Sequence, residues 1–371
     1  MNGKLKESSN RTKPEIAATG GRIGSGILEL DRMLGGNDHP PVEMGSTILI
    51  RGEPGSGKTT LAMQMLSHFL EASVTESDTS SRIGNLLSLE EDGRLLCSRM
   101  KRAYGFGLED RLIPVGRNKP AGKQNLFCMS AGDIHDLILE VAAAESPDAS
   151  EKGISTISSN LSSIANESLN IVACPNPVAA VLMAAAFVMR APERAKGIVG
   201  ALRPKHASAG SQEEATKKHS GSCLLVIDSL NAFWNIAAEH FDERRHPRII
   251  LHSFCRFLRT LFGNQITIVF TDEYHYQSTS SGMNHSESFY CDIEISLRPE
   301  PLRIPASYEP NIQAPVGYNL NALIDDTVNN IESRSFIRVM KSRGTPNQSR
   351  RCAYDIVGGQ GIKLYPRYPG D

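Results

Sequence analysis

The sequence predicts an α/β fold in which a mostly parallel, twisted sheet is flanked by helices and interrupted by helical or irregular insertions. Three observations carry that prediction. Residues 46–50 form a β-rich apolar run of strand length, a glycine-rich loop follows, and residues 59–70 place apolar side chains at helical spacing. Residues 223–228 are continuously apolar up to a terminal Asp, as strands buried on both faces of a parallel sheet read. Residues 85–92 form a third run of the same kind, ending in adjacent carboxylates.

The loop between the first strand and the first long helix comprises Gly52, Glu53, Pro54, Gly55, Ser56, Gly57, Lys58, Thr59 and Thr60, and it fits the pattern G-x-x-x-x-G-K-[ST] at every fixed position. Strand, loop and helix come in the order that phosphate binding requires. Successive backbone N–H groups and the positive end of the helix dipole point at a bound phosphate, and glycine lets the chain approach without a Cβ in the way. The pattern implies a nucleoside triphosphate. Lys58 is expected to reach the β- and γ-phosphates, and the Thr59 hydroxyl to ligate Mg²⁺. A plain tight turn would leave the Lys-Thr pair at its end unexplained.

A triphosphate site also needs a carboxylate at the tip of a buried strand on the metal side, and Asp228, with Ser229 beside it, supplies one. Glu90, Glu91 and Asp92 end the intervening run, where an acidic group can orient or deprotonate a water attacking the γ-phosphate. The same trio can instead cap and charge the first turn of a helix expected over 93–104. Both readings can hold for different members.

Taken together, these motifs resemble the KaiC-type ATPases of the RecA superfamily. The family's opening signature is similar to Ile23-Gly24-Ser25-Gly26-Ile27 with Leu30-Asp31 and Leu34-Gly35-Gly36, followed by Gly45-Ser46 and the phosphate loop. Its strand with paired glutamates resembles residues 87–91, its metal-side strand 226–230, its next helix and strand 248–262 and 265–271, and its closing motif 339–345. All occur in the family's order, covering roughly 20–115, 133–144, 222–297 and 335–365. The resemblance implies a RecA-like P-loop fold and Mg²⁺-dependent hydrolysis of ATP between subunits of a homo-oligomeric ring, a hexamer. It also implies Glu90 or Glu91 as the water-activating carboxylate, Thr271 near the γ-phosphate, and Lys341 and Arg343 reaching the neighbouring subunit's γ-phosphate. A cation supplied in trans stabilises transition-state charge, and Arg binds phosphate oxygens bidentately. The alternative for this pair is a solvated strand edge.

The chain departs from the clock protein that names the family, which has two such domains where one phosphate loop is present here. The spacing from Glu91 to Asp228 is also long. A basic flexible tail is expected over 1–19, with Lys4, Lys6, Arg11 and Lys13, and a single ATPase domain over 20–365, interrupted at about 145–221 and 299–333. The first insertion contains an apolar block, 178–189, too short to span a bilayer and expected to be a buried or partner-facing helix. The second holds five prolines, at 299, 301, 305, 310 and 315, before a helix-like 320–331, and suits a protein partner on the surface. It is expected to join strands at 291–297 and 336–340.

Composition narrows the function classes. Forty basic against 41 acidic residues give no overall pull towards nucleic acid or anionic membrane. Seven cysteines without a C-x-x-C spacing point to a reducing, cytoplasmic setting, and the ten histidines form no metal pattern. His275 reads as a loop residue. The hydroxyl-rich loop 278–288 sits where some relatives carry hydroxyls phosphorylated by their own ATP, an activity ranked below simple hydrolysis. The reading ranked first is a regulatory or signalling ring whose nucleotide state controls partner binding. The alternatives are a DNA-dependent recombination or repair ATPase or motor, and a nucleotide-binding adaptor with negligible turnover. DNA is disfavoured because aromatics such as Phe233, Trp234 and Tyr274 lack interleaved lysines.

Overall fold

The computed structural model describes residues 22–36, 40–71, 82–113, 123–135, 222–240, 247–262, 265–273, 290–300, 334–343 and 351–365. The expectations about the tail, the apolar block 178–189, the helix 320–331, His275 and the loop 278–288 lie outside these residues.

A short antiparallel pair, β1 (Arg22–Ile23) and β2 (Val42–Glu43), with α1 (Leu28–Met33) between them, precedes the main sheet. That sheet has nine strands in the order β11-β10-β9-β8-β3-β7-β6-β4-β5. Its parallel part is β3 (Thr47–Gly52), β4 (Arg82–Ser88), β5 (Leu126–Ser130), β6 (Ser222–Asp228), β7 (Ile266–Glu273) and β8 (Ile293–Glu300). β9 (Arg334–Ser342), β10 (Arg351–Val357) and β11 (Gly361–Tyr365) extend one side in antiparallel fashion. The expected mostly parallel α/β sheet is therefore present, with β3 between β7 and β8.

α2 (Lys58–Glu71) starts directly after the glycine loop, and side chains around most of its girth are buried. It packs on one sheet face, where Ile48, Ile50, Leu224, Val226, Val269, Ile293, Ile295 and Leu297 form one core with Leu61, Met65, Leu66 and Phe69. Strand side chains alternate between faces, so the equally buried Leu49, Leu225, Ile227, Ile268 and Phe270 point to the other side. α4 (Leu230–His240) and α5 (Pro247–Phe262) pack against β7 there, burying Phe233, Phe254 and Phe257. Pro247 opens α5, at the helix position where its missing N–H costs nothing.

α3 (Gly93–Tyr104) begins at Asp92, whose carboxylate accepts from the amides of Arg94 and Leu95 at 2.9 and 3.0 Å. It ends at Gly105 in the left-handed region (φ 76°).

The end of β8 differs from the sequence reading. β8 does not stop at residue 297 but continues through Pro299 and Glu300, paired with Ser335 and Arg334 of β9. The strand therefore takes in the first two residues of the stretch expected to be an insertion, 299–333. Proline fits because pairing with β3 ends at Leu297, so no neighbour on that side asks for its missing N–H. The hairpin β10–β11 was not anticipated as such.

Candidate nucleotide site

The glycine loop leaves β3 at the carboxyl edge of the parallel strands, where open α/β sheets bind ligands. A side chain at Gly52 is excluded because a Cβ there would fall 2.6 Å from the Leu297 carbonyl oxygen, a backbone atom that cannot move aside. Gly57 adopts φ +87°, which only glycine takes without strain, and lies against Ile356 of β10. Pro54 and Gly55 are exposed at the loop's outer turn, while Ser56 and Thr60 are buried.

The loop is braced from behind by the β10–β11 hairpin. The Tyr354 hydroxyl donates to the Ser56 carbonyl at 2.6 Å. Gln64, two turns into α2, accepts from the Ile362 amide at 2.8 Å and donates to the Ile362 carbonyl at 3.4 Å. Sequence reasoning missed these residues because their partners lie about three hundred positions away and no local spacing marks them.

The charged groups of the site converge as follows. Lys58 Nζ donates to the Glu53 carbonyl at 2.9 Å, folding across the loop's own mouth. Burial lowers its pKa, and the charges of Glu273, Asp228, Glu90 and Asp272 oppose that shift. Asp228, at the tip of β6 and 4 % exposed, accepts from the hydroxyls of Thr59 (3.1 Å to each oxygen) and Thr271 (2.5 Å). Burial raises the Asp228 pKa, the two hydroxyl donors oppose the shift, and the Glu90 and Glu91 charges add to it. The Asp228–Ser229 peptide is cis.

The acidic trio separates in space. Glu90 accepts a hydrogen bond from the Ser229 hydroxyl and so lies beside Asp228. Glu91 pairs with Arg99 of α3 at 2.6 Å, on the exposed side. Asp92 caps α3. Asp92 thus takes the capping role, Glu91 is tied to the helix surface, and Glu90 alone of the trio stands on the Asp228 side.

Lys341 and Arg343 are not brought to this site within the protomer. Lys341 pairs with Glu294, which is in register with Leu49, three residues before Gly52 and roughly 10 Å along the strand at about 3.3 Å per residue. Arg343 lies beyond the end of β9, where its amide donates to the Asp292 carbonyl at 2.8 Å and its guanidinium stands 3.9 Å from the Asp292 carboxylate. Both cations sit at the amino edge of the parallel strands.

The residues present fit a magnesium–triphosphate. Asp228 is a buried carboxylate whose hydrogen-bond partners are two neutral hydroxyls and whose acidic neighbour adds negative charge, an arrangement that a divalent cation would relieve. Among the described residues no three His, Cys, Asp or Glu side chains converge as a metal cage. Mg²⁺ takes few protein ligands and completes its shell with phosphate oxygens and water, so the Thr59 hydroxyl and the Asp228 carboxylate fit what it asks of a protein. The buried Ser56 hydroxyl has no partner among the described residues.

Comparison with known proteins adds three matches. The chain is 33 % identical over 131 residues to the DNA repair protein RadA of Synechocystis, an alignment covering 34 % of this chain and 23 % of that protein. It is 53 % identical over 45 residues to the DNA repair protein RadA of Haemophilus influenzae, covering 12 % and 9 %. The matched segments thus span less than a quarter of either curated relative. Among solved structures it is similar to a KaiC-like protein from the hyperthermophilic archaeon Pyrococcus horikoshii, with 18 % identity and a TM-score of 0.48 over 94 % of this chain and 100 % of that one. No family model matches the chain.

Proposed function

We infer from the phosphate loop between β3 and α2 and from the alignments to the two RadA proteins that the chain is KaiC/RecA-like. We propose that the chain is an Mg²⁺-dependent ATPase that works between subunits of a homo-oligomeric ring, its nucleotide state controlling the binding of a protein partner. The observation that carries the catalytic part is the convergence of Thr59, Thr271 and Glu90–Ser229 on Asp228 at the mouth of the phosphate loop.

Thr59 and Asp228 would hold the magnesium ion, which neutralises phosphate charge when bound. Lys58 must leave the Glu53 carbonyl to meet the β- and γ-phosphates, exchanging a neutral acceptor for an anionic one. Glu90 would accept a proton from an attacking water, a role supported by the Ser229 hydrogen bond that holds its carboxylate beside Asp228. Glu91, tied to Arg99, is left to the helix surface. The position of Lys341 and Arg343 at the far edge supports their action on a neighbour's phosphates, because their own loop is out of reach.

The test is phosphate release measured on size-fractionated protein, with and without single-stranded DNA, for the native chain and for Lys58→Ala. Lys58→Ala is expected to lose nucleotide binding altogether; hydrolysis surviving that change would overturn the assignment. The likeness to two proteins named for DNA repair favours a second reading, a DNA-dependent repair ATPase. Turnover that rises with DNA would select it over the regulatory ring.

A further inference from the structure

Four charged residues, drawn from four adjacent strands, form an alternating row on the sheet face opposite α2. Asp272 of β7 lies opposite Arg51 of β3 and receives its Nε at 2.8 Å. The Arg51 side chain also runs back along the sheet, placing Nη1 3.6 Å from Glu294 of β8. Glu294 in turn lies directly opposite Lys341 of β9. Directly opposed residues in an antiparallel pair have Cβ atoms about 5 Å apart, and diagonal neighbours are within reach of long side chains. The order across β9, β8, β3 and β7 is therefore cation, anion, cation, anion.

Three members of the row are sequestered from water, and Lys341 is half-buried. The Arg51 side chain is 6 % exposed, and those of Asp272 and Glu294 are 12 % exposed. At such burial each charge depends on its neighbours, and removing one leaves another uncompensated. Burial disfavours the charged form of Lys341 and the guanidinium of Arg343 repels it, while the charges of Asp292 and Glu294 oppose that shift. Arg343 has Asp292 close by, and Glu294 stands opposite Lys341.

We propose that Glu294, itself held by Arg51, is a positioning residue that fixes the Lys341 ammonium for delivery to the neighbouring subunit's triphosphate. This rests on the ring reading above. The row ends at Asp272, the residue after Thr271, so the cation offered to the neighbour is anchored to the strand that bears the protomer's own Thr271–Asp228 contact. Of the four, only Lys341 belongs to a motif in the sequence, the closing one at 339–345, and nothing local marks Arg51, Asp272 or Glu294.

The test uses full-length chains in mixed rings. A Lys58→Ala protomer takes up no nucleotide, so any further change it carries affects turnover only through the site it completes on a neighbour. Native protein is mixed with a fourfold excess of Lys58→Ala, or of Lys58→Ala combined with Glu294→Gln, with Arg51→Met or with Lys341→Met. Ring assembly is checked by light scattering, folding by cooperative thermal unfolding, and phosphate release is expressed per native subunit.

Lys341→Met in the dopant is expected to lower turnover about fivefold beyond Lys58→Ala alone, since about four in five native sites then lack the transition-state cation. Glu294→Gln, which keeps the side chain's shape, is expected to reproduce most of that loss. Arg51→Met is the second probe if it folds, with Arg51→Lys restoring part of the activity. A dopant carrying Glu294→Gln that inhibits no more than Lys58→Ala, while Lys341→Met does inhibit, overturns the positioning role and leaves the trans reading intact. If Lys341→Met adds no inhibition either, the trans reading itself fails and the positioning role falls with it.

Discussion

The two ends of the parallel strands handle charge differently. At the carboxyl edge, Lys58 rests on a neutral carbonyl, and Asp228 is met by hydroxyls and by the approach of a second carboxylate. At the amino edge the opposite charges find one another: Arg259 of α5 donates to both the Thr47 hydroxyl and the Asp292 carboxylate, at 2.8 and 2.9 Å, and Asp292 also accepts from the Thr47 amide at 2.8 Å. The carboxyl edge is left electrostatically incomplete, and the amino edge is closed around Asp292. The incomplete edge suits a charged ligand, and the closed one fixes β3, β8 and α5 together.

The sharpest way to test that contrast is at the paired glutamates. Glu90→Gln should lower the rate of phosphate release by about 10²–10⁴-fold, the span of general-base catalysis, whereas Glu91→Gln should change it no more than a few-fold. Single-turnover assays on both variants decide it, and equal losses would erase the distinction drawn from Ser229 and Arg99.

At the closed edge, Arg259→Met should cost about 1–3 kcal/mol of stability, because Asp292 and Thr47 lose a charged donor, while affinity for a fluorescent ATP analogue stays unchanged. A variant that weakens nucleotide binding without lowering the unfolding midpoint in urea would break the comparison. Next in size is Tyr354→Phe, which removes the donor behind the Ser56 carbonyl and should cost about 1 kcal/mol, visible in the same denaturant series.

The smallest effect concerns Asp31, whose carboxyl accepts from the Ser25 amide at 2.7 Å and whose pKa burial pushes up to about 6. A folded-state pKa above the unfolded value of about 3.8 means that the folded chain holds this proton more tightly. The associated stability is fully present below about pH 4 and is lost as pH rises through about 6. Asp31→Asn should therefore raise the melting temperature more at pH 7.5 than at pH 4.5, and a pH-independent difference would contradict the shift.

The elements that the sequence revealed are those whose requirements are local. The spacing of Gly52, Gly57, Lys58 and Thr59 follows from what a backbone must do to surround a phosphate, and the run ending at Asp228 shows its burial in its own composition. Glu90 and Glu91 stayed unresolved because adjacent residues have the same composition and differ only in whether Ser229 or Arg99 lies across from them. The end of β8 was misplaced because proline reads as a breaker, although β3 has stopped pairing by then. Arg51, Asp272 and Glu294 read as ordinary strand charges until strand order brings them side by side.

The contact between Tyr354 and Ser56 spans 298 positions, as do those between Gln64 and Ile362. A ribosome adding about 5–20 residues per second finishes the phosphate loop roughly 15–60 s before it makes the strands that brace it. During that interval the loop has its sequence without its backing. A nascent chain would therefore acquire the bracing of its phosphate loop only when the hairpin docks, near the end of synthesis.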